Sequence, residues 1–357
     1  MRGPRRPMAA AVGGSWPAAD GGAGRRKLPV SLFTRPGLEQ ASSEAAARHR
    51  ASRYPADVRL ADLCCGIGGD LIALAADREV VAVDRDEAHV RMAVHNASVC
   101  GSGGPVHGCV ADVRDIGLAH IGAVFADPAR RTATRRLAAG ASEPTLGWCF
   151  ALTETVEAVG VKAAPGLPHD LVPGGWELEF IADGRDLKEA MLWSPALATA
   201  RRRATILPGG HTLLPRPGPT VVVAEPGRFL LDPNPAVTRA DLVEELARQL
   251  DAWKIDPRIA FLSSDAALRT PFARTLRVTE SAPWNESQFA RRLRALGIGA
   301  ADIRRRGLAG DVEQIRRRLK LSGPNRATIV ITRVSDRPWG LICTDLSEPA
   351  NAGTAAP

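Results

Sequence analysis

A glycine-rich turn after a short apolar run is the feature that most constrains this chain. The turn reads Asp62-Leu63-Cys64-Cys65-Gly66-Ile67-Gly68, and Asp84 closes the next apolar run. Gly66 and Gly68 let the backbone turn sharply and leave the main chain open to a ligand, because no Cβ intervenes. Asp84 follows Gly66 by 18 positions, close to the roughly 20-residue offset at which an acid meets ribose hydroxyls in nucleotide-binding folds. The pattern predicts an α/β domain that binds an adenosine-containing cofactor.

The same turn argues against a dinucleotide cofactor. A dinucleotide fingerprint would place a third glycine where Leu71 stands. Asp70 would lie near the start of the following helix, where a pyrophosphate must bind. A carboxylate at that point disfavours a phosphate but does not disfavour a cationic sulfonium. The sequence therefore disfavours NAD.

Further acids follow the later strands. Asp112 comes after the third predicted strand, and Asp127-Pro128-Ala129-Arg130 closes the next one. Together with Asp62-x-x-x-Gly66-x-Gly68 and Asp84, this ordered set resembles the class I S-adenosylmethionine (SAM) methyltransferases. The resemblance implies S-adenosyl-L-methionine as cofactor, with Asp84 on the ribose hydroxyls and Asp112 on the adenine amine. The candidate cofactor-binding residues are Asp62, Cys64, Gly66, Gly68, Asp84, Arg85 and Asp112.

Apolar runs and helix-like runs alternate along the first part of the chain. Strands are predicted at 58–64, 79–83, 105–110, 121–126, 156–162, 176–182, 203–207 and 220–224, with helices at 69–77 and 86–100. Such alternation favours a parallel sheet that binds its ligand at the carboxyl ends of the strands. The predicted fold class is α/β, with a Rossmann-like seven-stranded class I methyltransferase sheet and a small C-terminal α+β domain.

Composition shifts divide the chain into six segments. Residues 1–27 and 347–357 are expected to be disordered tails. Between them we expect a helical leader at 28–57 beside the cofactor site, a SAM-dependent methyltransferase domain at 58–225, a linker with a helix at 226–274 and a small domain at 275–346.

The motif at 127–130 is the candidate acceptor site, with Asp127, Pro128 and Arg130 as candidate catalytic residues. Methyltransferases that act on exocyclic amino groups usually carry Asp, Asn or Ser, then Pro-Pro-aromatic, at this point. This chain has Ala129 and Arg130 where that pattern has proline and the aromatic residue. Arg130 and Arg131 could instead bind a phosphate or a carboxylate, for which a guanidinium is well shaped. No cysteine lies near 127, so methylation at pyrimidine C5 is disfavoured.

Positive charge is concentrated in the C-terminal part of the chain. The formal net charge is +8, and residues 201–357 carry 25 basic and 16 acidic side chains. Within 291–320 there are 10 basic and 3 acidic side chains, including the triplets 304–306 and 316–318. A basic face gives salt-dependent affinity for phosphates.

The segment from Ile303 to Val334 resembles the THUMP-like domain, which follows a SAM methyltransferase domain in a largely uncharacterised bacterial family. The leader Phe33-Thr34-Arg35 and the motif at 127–131 match that family too, so the resemblance covers about 30–346. True THUMP domains help RNA-modifying enzymes hold structured RNA, so the resemblance implies structured RNA as a partner. The candidate RNA-binding residues are Arg304, Arg305, Arg306, Arg316, Arg317 and Lys320.

Hydropathy and cysteine spacing indicate the location of the protein and the state of its thiols. No apolar run approaches the roughly 18–20 residues that a membrane-spanning helix needs. The six cysteines show no C-x-x-C pair and no zinc spacing, which favours reduced thiols, no metal and a cytoplasmic location. The oligomeric state stays open.

These features predict an S-adenosylmethionine-dependent methyltransferase that modifies RNA. Two alternatives remain. One is a methyltransferase for a small anionic metabolite or a protein, in which Arg130 and Arg131 hold a carboxylate. The other is a SAM-binding or RNA-binding protein whose catalytic loop has decayed.

Overall fold

A computed structural model describes residues 8–9, 32–33, 43–129 and 140–346. The chain divides into two compact units, residues 1–212 and 213–357. The tail predicted at 347–357 lies outside the described residues, and so does nearly all of the one at 1–27. Within the latter, Met8–Ala9 pairs antiparallel with Leu32–Phe33.

The first unit is built on a nine-stranded sheet. Its strands are β1 Leu60–Leu63, β2 Val80–Asp84, β3 Val106–Val110, β4 Ala123–Ala126, β5 Ala158–Ala163, β6 Glu177–Asp183, β7 Asp186–Trp193, β8 Arg202–Leu207 and β9 His211–Leu213. Its helices are α1 Glu44–Ala51, α2 Leu71–Leu74, α3 Glu87–Cys100 and α4 Leu146–Ala151, with 3-10 turns at Leu152–Glu154 and His169–Leu171.

The strand order is β9-β8-β6-β7-β5-β4-β1-β2-β3. Strands β3, β2, β1, β4 and β5 are mutually parallel, and β7 lies antiparallel between β5 and β6. Seven of these nine strands, β1–β6 and β8, correspond to the strands predicted at 58–64, 79–83, 105–110, 121–126, 156–162, 176–182 and 203–207. Strand β9 extends the sheet beyond β8. Strand β7 itself was not predicted, because its polar first half, Asp186-Leu187-Lys188-Glu189, hides the apolar run that follows.

Helix α3 shows why the helices form where the sequence predicts them. Its N-cap Asp86 accepts hydrogen bonds from the backbone N–H groups of Ala88 and His89, and Gly101 ends the helix in the left-handed conformation. Helix α1 begins in the same way at Ser43, whose hydroxyl accepts from the Ala46 N–H. Helix α1 lies within the segment predicted as a helical leader.

The second unit contains a seven-stranded sheet in the order β11-β12-β10-β13-β16-β15-β14. Its strands are β10 Phe229–Pro233, β11 Trp253–Lys254, β12 Leu262–Ser264, β13 Ala273–Pro283, β14 Ile298–Arg305, β15 Asn325–Val334 and β16 Arg337–Asp345. Its helices are α5 Pro235–Arg239, α6 Val243–Leu250, α7 Glu286–Ala295 and α8 Val312–Leu319. Strands β14 and β15 are parallel, and the other pairs between β11 and β16 are antiparallel.

Two sequence-based expectations differ from this architecture. The segment 226–274, predicted as a linker, supplies β10, β11 and β12 to the sheet, and Leu230 of β10 opposes Leu276 of β13. These strands are only two to five residues long, and β10 runs directly into the turn cluster Asp232-Pro233-Asn234-Pro235, so they looked like loops in the sequence. The strand predicted at 220–224 reduces to a single bridge from Val223 to Lys254, and Val222 and Val223 are exposed.

Candidate cofactor and acceptor site

Asp62 is a buried acid without a partner at the end of β1. Asp62 is 1% exposed, and neither of its carboxylate oxygens has a hydrogen-bond partner among the residues that the structure describes. Burial, together with the negative charges of Asp70 and Asp127, raises the pKa of Asp62 well above its usual range. A buried polar group without a partner costs about 1–3 kcal/mol. The orphaned oxygens therefore fit a ligand that brings hydrogen-bond donors.

The glycine turn follows Asp62 directly. Cys64, Gly66 and Gly68 all adopt positive φ angles, of 63°, 53° and 86°. A Cβ on Gly68 would lie 2.8 Å from Cα of Ala93, so this glycine lets α3 pack closely. A Cβ on Gly66 would meet nothing within 4 Å, so the backbone there borders open space. Burial raises the pKa of the Cys64 thiol, which makes it a poor nucleophile.

Asp84 ends β2 beside this turn. Its carboxylate accepts hydrogen bonds from the backbone N–H groups of Gly66 and Asp86, each at 3.0 Å. Partial burial alone would raise the pKa of Asp84, but hydrogen bonds from His89, Asp86 and Gly66 outweigh it and lower the pKa. The result is an ionised carboxylate held at the turn. Arg85, the next residue, is exposed.

Asp112 lies close to β2, since the Ala111 N–H donates to the Asp84 carbonyl at 3.1 Å. Both of its carboxylate oxygens are already bound by Arg114, at 2.9 Å from Nε and 2.6 Å from a terminal nitrogen. This pair lowers the pKa of Asp112 to about 2. Arg114 also donates to Glu143 at 2.8 Å. An adenine amine bound at Asp112 would therefore share the carboxylate with Arg114, which was not among the predicted site residues.

Asp127 follows β4, and its backbone N–H donates to the Leu63 carbonyl at 3.1 Å. Its Oδ2 accepts a hydrogen bond from Nζ of Lys162 at 2.8 Å. Lys162 lies near the end of β5 and its side chain is 5% exposed. Pro128 is buried, whereas Arg130 lies outside the described residues. Lys162 was not among the predicted site residues, although a lysine inside an otherwise apolar run was a visible signal.

A second missed residue is Arg50, at the end of α1. It is completely buried and donates to Asp70, with 2.7 Å between Nε and Oδ1, and to Glu189. Burial alone would lower the pKa of Arg50, but the charges of Asp70 and Glu189 raise it. Nζ of Lys162 lies 3.7 Å from Oδ2 of Asp70. Asp70 is thus compensated by cations within the fold, and the leader helix supplies one of them.

The six candidate RNA-binding residues of the second unit do not lie in equivalent surroundings. Arg306 donates to the Ala260 carbonyl, pairs with Asp232 at 2.9 Å and lies over the ring of Phe261. Arg305 donates to the Leu308 carbonyl. These contacts hold the fold together. Arg316 is half-buried and also donates to the Ala301 carbonyl, at 2.8 Å, and the exposed Arg304 pairs with Asp302. Arg317 and Lys320 are exposed.

Three cationic side chains border a cavity of about 630 Å³ in the second unit. They are Arg316 and Lys320, near the end of α8, and Arg326 on β15. Asp302 also lines the cavity, but its carboxylate already accepts hydrogen bonds from Arg274 and Arg304, each at 3.0 Å. The cavity is therefore electropositive. Arg326 was not singled out in the sequence, because it lies outside both arginine triplets.

No group of three or more His, Cys, Asp or Glu side chains within 43–129 and 140–346 could hold a metal ion. No helix in the described part of the chain is long and apolar enough to cross a membrane.

Comparison with known proteins identifies the family. Residues 58–144 match the family described as RNA cap guanine-N2 methyltransferase, and residues 273–345 match the THUMP domain-like family. An uncharacterised S-adenosylmethionine-dependent methyltransferase of Mycobacterium tuberculosis, found in strains CDC 1551 and H37Rv, is 36% identical over 313 residues and covers 85% of each chain. A crystal structure of a proposed methyltransferase from Porphyromonas gingivalis W83 shares the fold, with a TM-score of 0.72 at 21% identity, covering 89% of this chain and 84% of that one.

The fold and the site define a Rossmann-like enzyme that uses S-adenosyl-L-methionine to transfer methyl groups. More narrowly, the chain belongs to the uncharacterised family of SAM-dependent methyltransferases that carry a C-terminal THUMP-like domain. The predicted family, fold class, enzyme class and cofactor are confirmed. The roles of the individual site residues stay predictions.

Proposed function

We propose that this enzyme methylates RNA and that the basic cavity of the second unit holds part of the RNA backbone. The observation that carries the proposal is the cavity bordered by Arg316, Lys320 and Arg326, whose one acid is already paired. Guanidinium and ammonium groups bind phosphates well. The match of residues 58–144 to the RNA cap guanine-N2 methyltransferase family supports the same substrate class.

In the first unit, we propose that Asp62 accepts hydrogen bonds from the methionine ammonium of the cofactor. Its orphaned oxygens suit a cationic donor, and Gly66 offers open backbone beside it. Asp84 would bind the ribose hydroxyls through the part of its carboxylate that the turn leaves free. When bound, the cofactor supplies a methyl group on a cationic sulfur, which keeps the bonding electrons as the methyl leaves.

Asp127 is the acceptor-side residue of the proposal. An attacking amino nitrogen that forms a bond to carbon must lose one proton, and the carboxylate side chain at the strand end is placed to receive it. Most of the rate enhancement would come from holding the nucleophile in line with the methyl group. Pro128, which is buried, would fix the backbone that follows Asp127.

The substrate class is tested with tritiated SAM and a fractionated lysate from a strain that lacks the gene. We expect label in RNA. Label found only in protein or in small molecules would reject the RNA proposal and favour the corresponding alternative. A protein that binds S-adenosylhomocysteine (SAH) but labels no fraction would be a decayed enzyme.

The cavity is tested by replacing Arg316, Lys320 and Arg326 with alanine together. Three lost phosphate contacts would reduce the slope of log affinity against log salt by about 2–3, at roughly 0.7 per contact for a single strand and 0.9 for a duplex. Filter binding of total RNA from the same strain at several potassium chloride concentrations measures this slope. Arg291→Ala is the matched control, because Arg291 is exposed in the same basic segment but does not line the cavity. Equal slopes for the two variants would remove the cavity from the proposal.

The donor site is tested by Asp84→Ala, with titration calorimetry of SAH. Losing two hydrogen bonds to a charged acceptor, each worth about 1.5–3 kcal/mol, should weaken binding by at least 100-fold. Asp57→Ala is the control, since Asp57 is exposed and precedes β1. An unchanged affinity in Asp84→Ala would remove Asp84 from the cofactor site.

A further inference from the structure

Asp127 and Lys162 are neighbours because of strand register. Strands β4 and β5 are parallel, and Ala126 opposes Val161. The next residue on each strand is Asp127 and Lys162, so the backbone brings the carboxylate and the ammonium group side by side. Their contact, at 2.8 Å, lies at the carboxyl ends of the strands, where ligands bind in this class of fold.

Lys162 remains charged although it is buried. Burial alone would lower its pKa, but the charges of Asp127 and Asp70 outweigh burial and raise it. Asp70 is also bound by Arg50, which is itself fully buried. Nζ of Lys162 lies closer to Asp127, at 2.8 Å, than to Asp70, at 3.7 Å. The lysine is therefore directed at the acceptor-side carboxylate.

The two oxygens of Asp127 differ in their surroundings. Lys162 bonds Oδ2, whereas Oδ1 accepts no hydrogen bond from any residue in the described ranges. The Asp127 side chain is 29% exposed, in contrast to Lys162. One oxygen is thus held from inside the protein, and the carboxylate still reaches the surface of the site.

We propose that Lys162 is a positioning residue, which fixes the Asp127 carboxylate through Oδ2 and leaves Oδ1 to accept a hydrogen bond from the group that is methylated. The inference rests on the proposed role of Asp127 in the acceptor site. It adds a requirement on the substrate: the methylated group must be a hydrogen-bond donor, such as an amino group, because an ionised carboxylate only accepts. An anionic acceptor would be repelled.

A purely structural role for Lys162 makes different predictions. A lysine that only balances buried charge would affect folding stability and SAH binding, and its effect on the rate would not depend on Asp127. A positioning residue acts through Asp127, so removing both should do no more harm than removing Asp127 alone.

The test uses Lys162→Gln, Asp127→Asn and the double variant in the full-length enzyme. Gln keeps most of the side-chain length and a hydrogen-bond donor without the charge, and Lys162→Met is a second neutral replacement if Gln does not fold. Rates of methyl transfer from tritiated SAM to total RNA of the deletion strain give kcat and KM, and calorimetry gives the SAH affinity. Lys188→Gln is the control, because Lys188 is exposed and pairs only with Asp186 in the described contacts.

We expect Lys162→Gln to lower kcat by about 10- to 100-fold while SAH affinity changes by less than about threefold. Asp127→Asn should lower kcat at least as much, and the double variant should match Asp127→Asn. The proposal would be overturned if the loss of kcat in the double variant equalled the product of the two single losses. An unchanged kcat in Lys162→Gln, or a loss of SAH binding in that variant, would overturn it as well.

A second measurement does not require activity and so separates this proposal from the proposed RNA function. Protein labelled with carbon-13 at the aspartate carboxyl gives an Asp127 signal, assigned by its loss in Asp127→Asn. At pH 7 this signal should shift or broaden in Lys162→Gln and stay unchanged in Lys188→Gln. An Asp127 signal that is identical in wild type and Lys162→Gln would refute the positioning role even if no RNA is methylated.

Discussion

Replacing Asp62 with asparagine should make the free protein more stable and weaken its affinity for SAH. Asp62 is buried and its carboxylate oxygens have no partner among the described residues, so this side chain destabilises the folded state of the free protein. Asparagine has nearly the same shape and cannot ionise. The substitution therefore separates a residue kept for ligand binding from one kept for stability.

The size and sign of the stability change follow from the raised pKa of Asp62. The unfolded chain releases this proton near its ordinary pKa of about 3.9, whereas the folded chain retains it to higher pH. Wild type therefore loses stability as pH rises from about 4 towards the folded pKa, by at most about 1.4 kcal/mol per pH unit. Asp62→Asn lacks this loss, so its advantage should be small near pH 4 and reach about 1–3 kcal/mol at pH 7.

The effect on the cofactor has the opposite sign. A hydrogen bond to a charged group contributes about 1.5–3 kcal/mol, so losing the carboxylate should weaken SAH binding by about 10- to 100-fold. At an SAH concentration 100 times the wild-type Kd, wild type gains about 2.7 kcal/mol of stability. Asp62→Asn should gain roughly 0.4–1.4 kcal/mol at the same concentration.

Urea unfolding, followed by tryptophan fluorescence between pH 4 and 8 with and without SAH, measures both effects. Asp57→Asn is the control, because Asp57 is exposed on the segment before β1. If Asp62→Asn lowers stability at every pH and leaves the SAH gain intact, then Asp62 is a satisfied structural residue. That result would refute the assignment of its oxygens to the cofactor.

Two further predictions concern stability. Burial alone would raise the pKa of Glu179, but its hydrogen bond with His49 and the neighbouring cations lower that pKa to about 2. As the pH falls from about 4.5 through 2, the free energy of unfolding of wild type, measured in urea, should therefore drop by about 3 kcal/mol relative to that of Glu179→Gln. A pH-independent difference would refute this. Gly68→Ala should destabilise by about 1–3 kcal/mol in thermal unfolding, since its Cβ would lie 2.8 Å from Cα of Ala93 at φ 86°. Gly66→Ala, which has open space, should cost less stability and instead weaken SAH binding; equal stability losses would refute the distinction.

The sequence predicted those parts of the fold that depend on local patterns. Helix α3 has an acidic N-cap and a glycine C-cap within one continuous segment, so its bounds were visible. Strand β7 was not, because it begins with polar residues and is defined by pairing with β5 and β6. The strands within 226–274 were missed for the same reason, since β10 and β12 are fixed by partners rather than by their own length.

The residues of the candidate site also fall into those marked by a sequence pattern and those set only by tertiary contacts. Asp62, Asp84 and Asp127 could be predicted, because acids at the ends of successive parallel strands meet at one edge of the sheet. Of the cations that balance the buried acids, Lys162 left a signal, because it interrupts an apolar run, but Arg50 left none. Arg50 reaches Glu189 across 139 positions of sequence, and no spacing rule connects them. An arginine near the end of an alanine-rich helix looks like a solvent-exposed residue until the fold buries it.

Most of the acids at this edge of the sheet are paired with a cation or bound by backbone N–H groups. Asp70 is paired with Arg50 and Lys162, and Asp127 with Lys162. Asp112 is paired with Arg114, while Asp84 is bound by backbone N–H groups. Among the acids described there, Asp62 alone has no compensating contact.

A buried carboxyl in that state is unfavourable for folding, and a cation supplied from outside would relieve it. The cofactor of this family carries an ammonium group and a sulfonium, so its binding would bring a positive charge to Asp62. The compensated acids would then orient the acceptor and the adenosine without competing for that cation. If the proposed role of Asp62 holds, this division accounts for a fold that neutralises three acids with side-chain cations and leaves the one beside the glycine turn without a partner among the described residues.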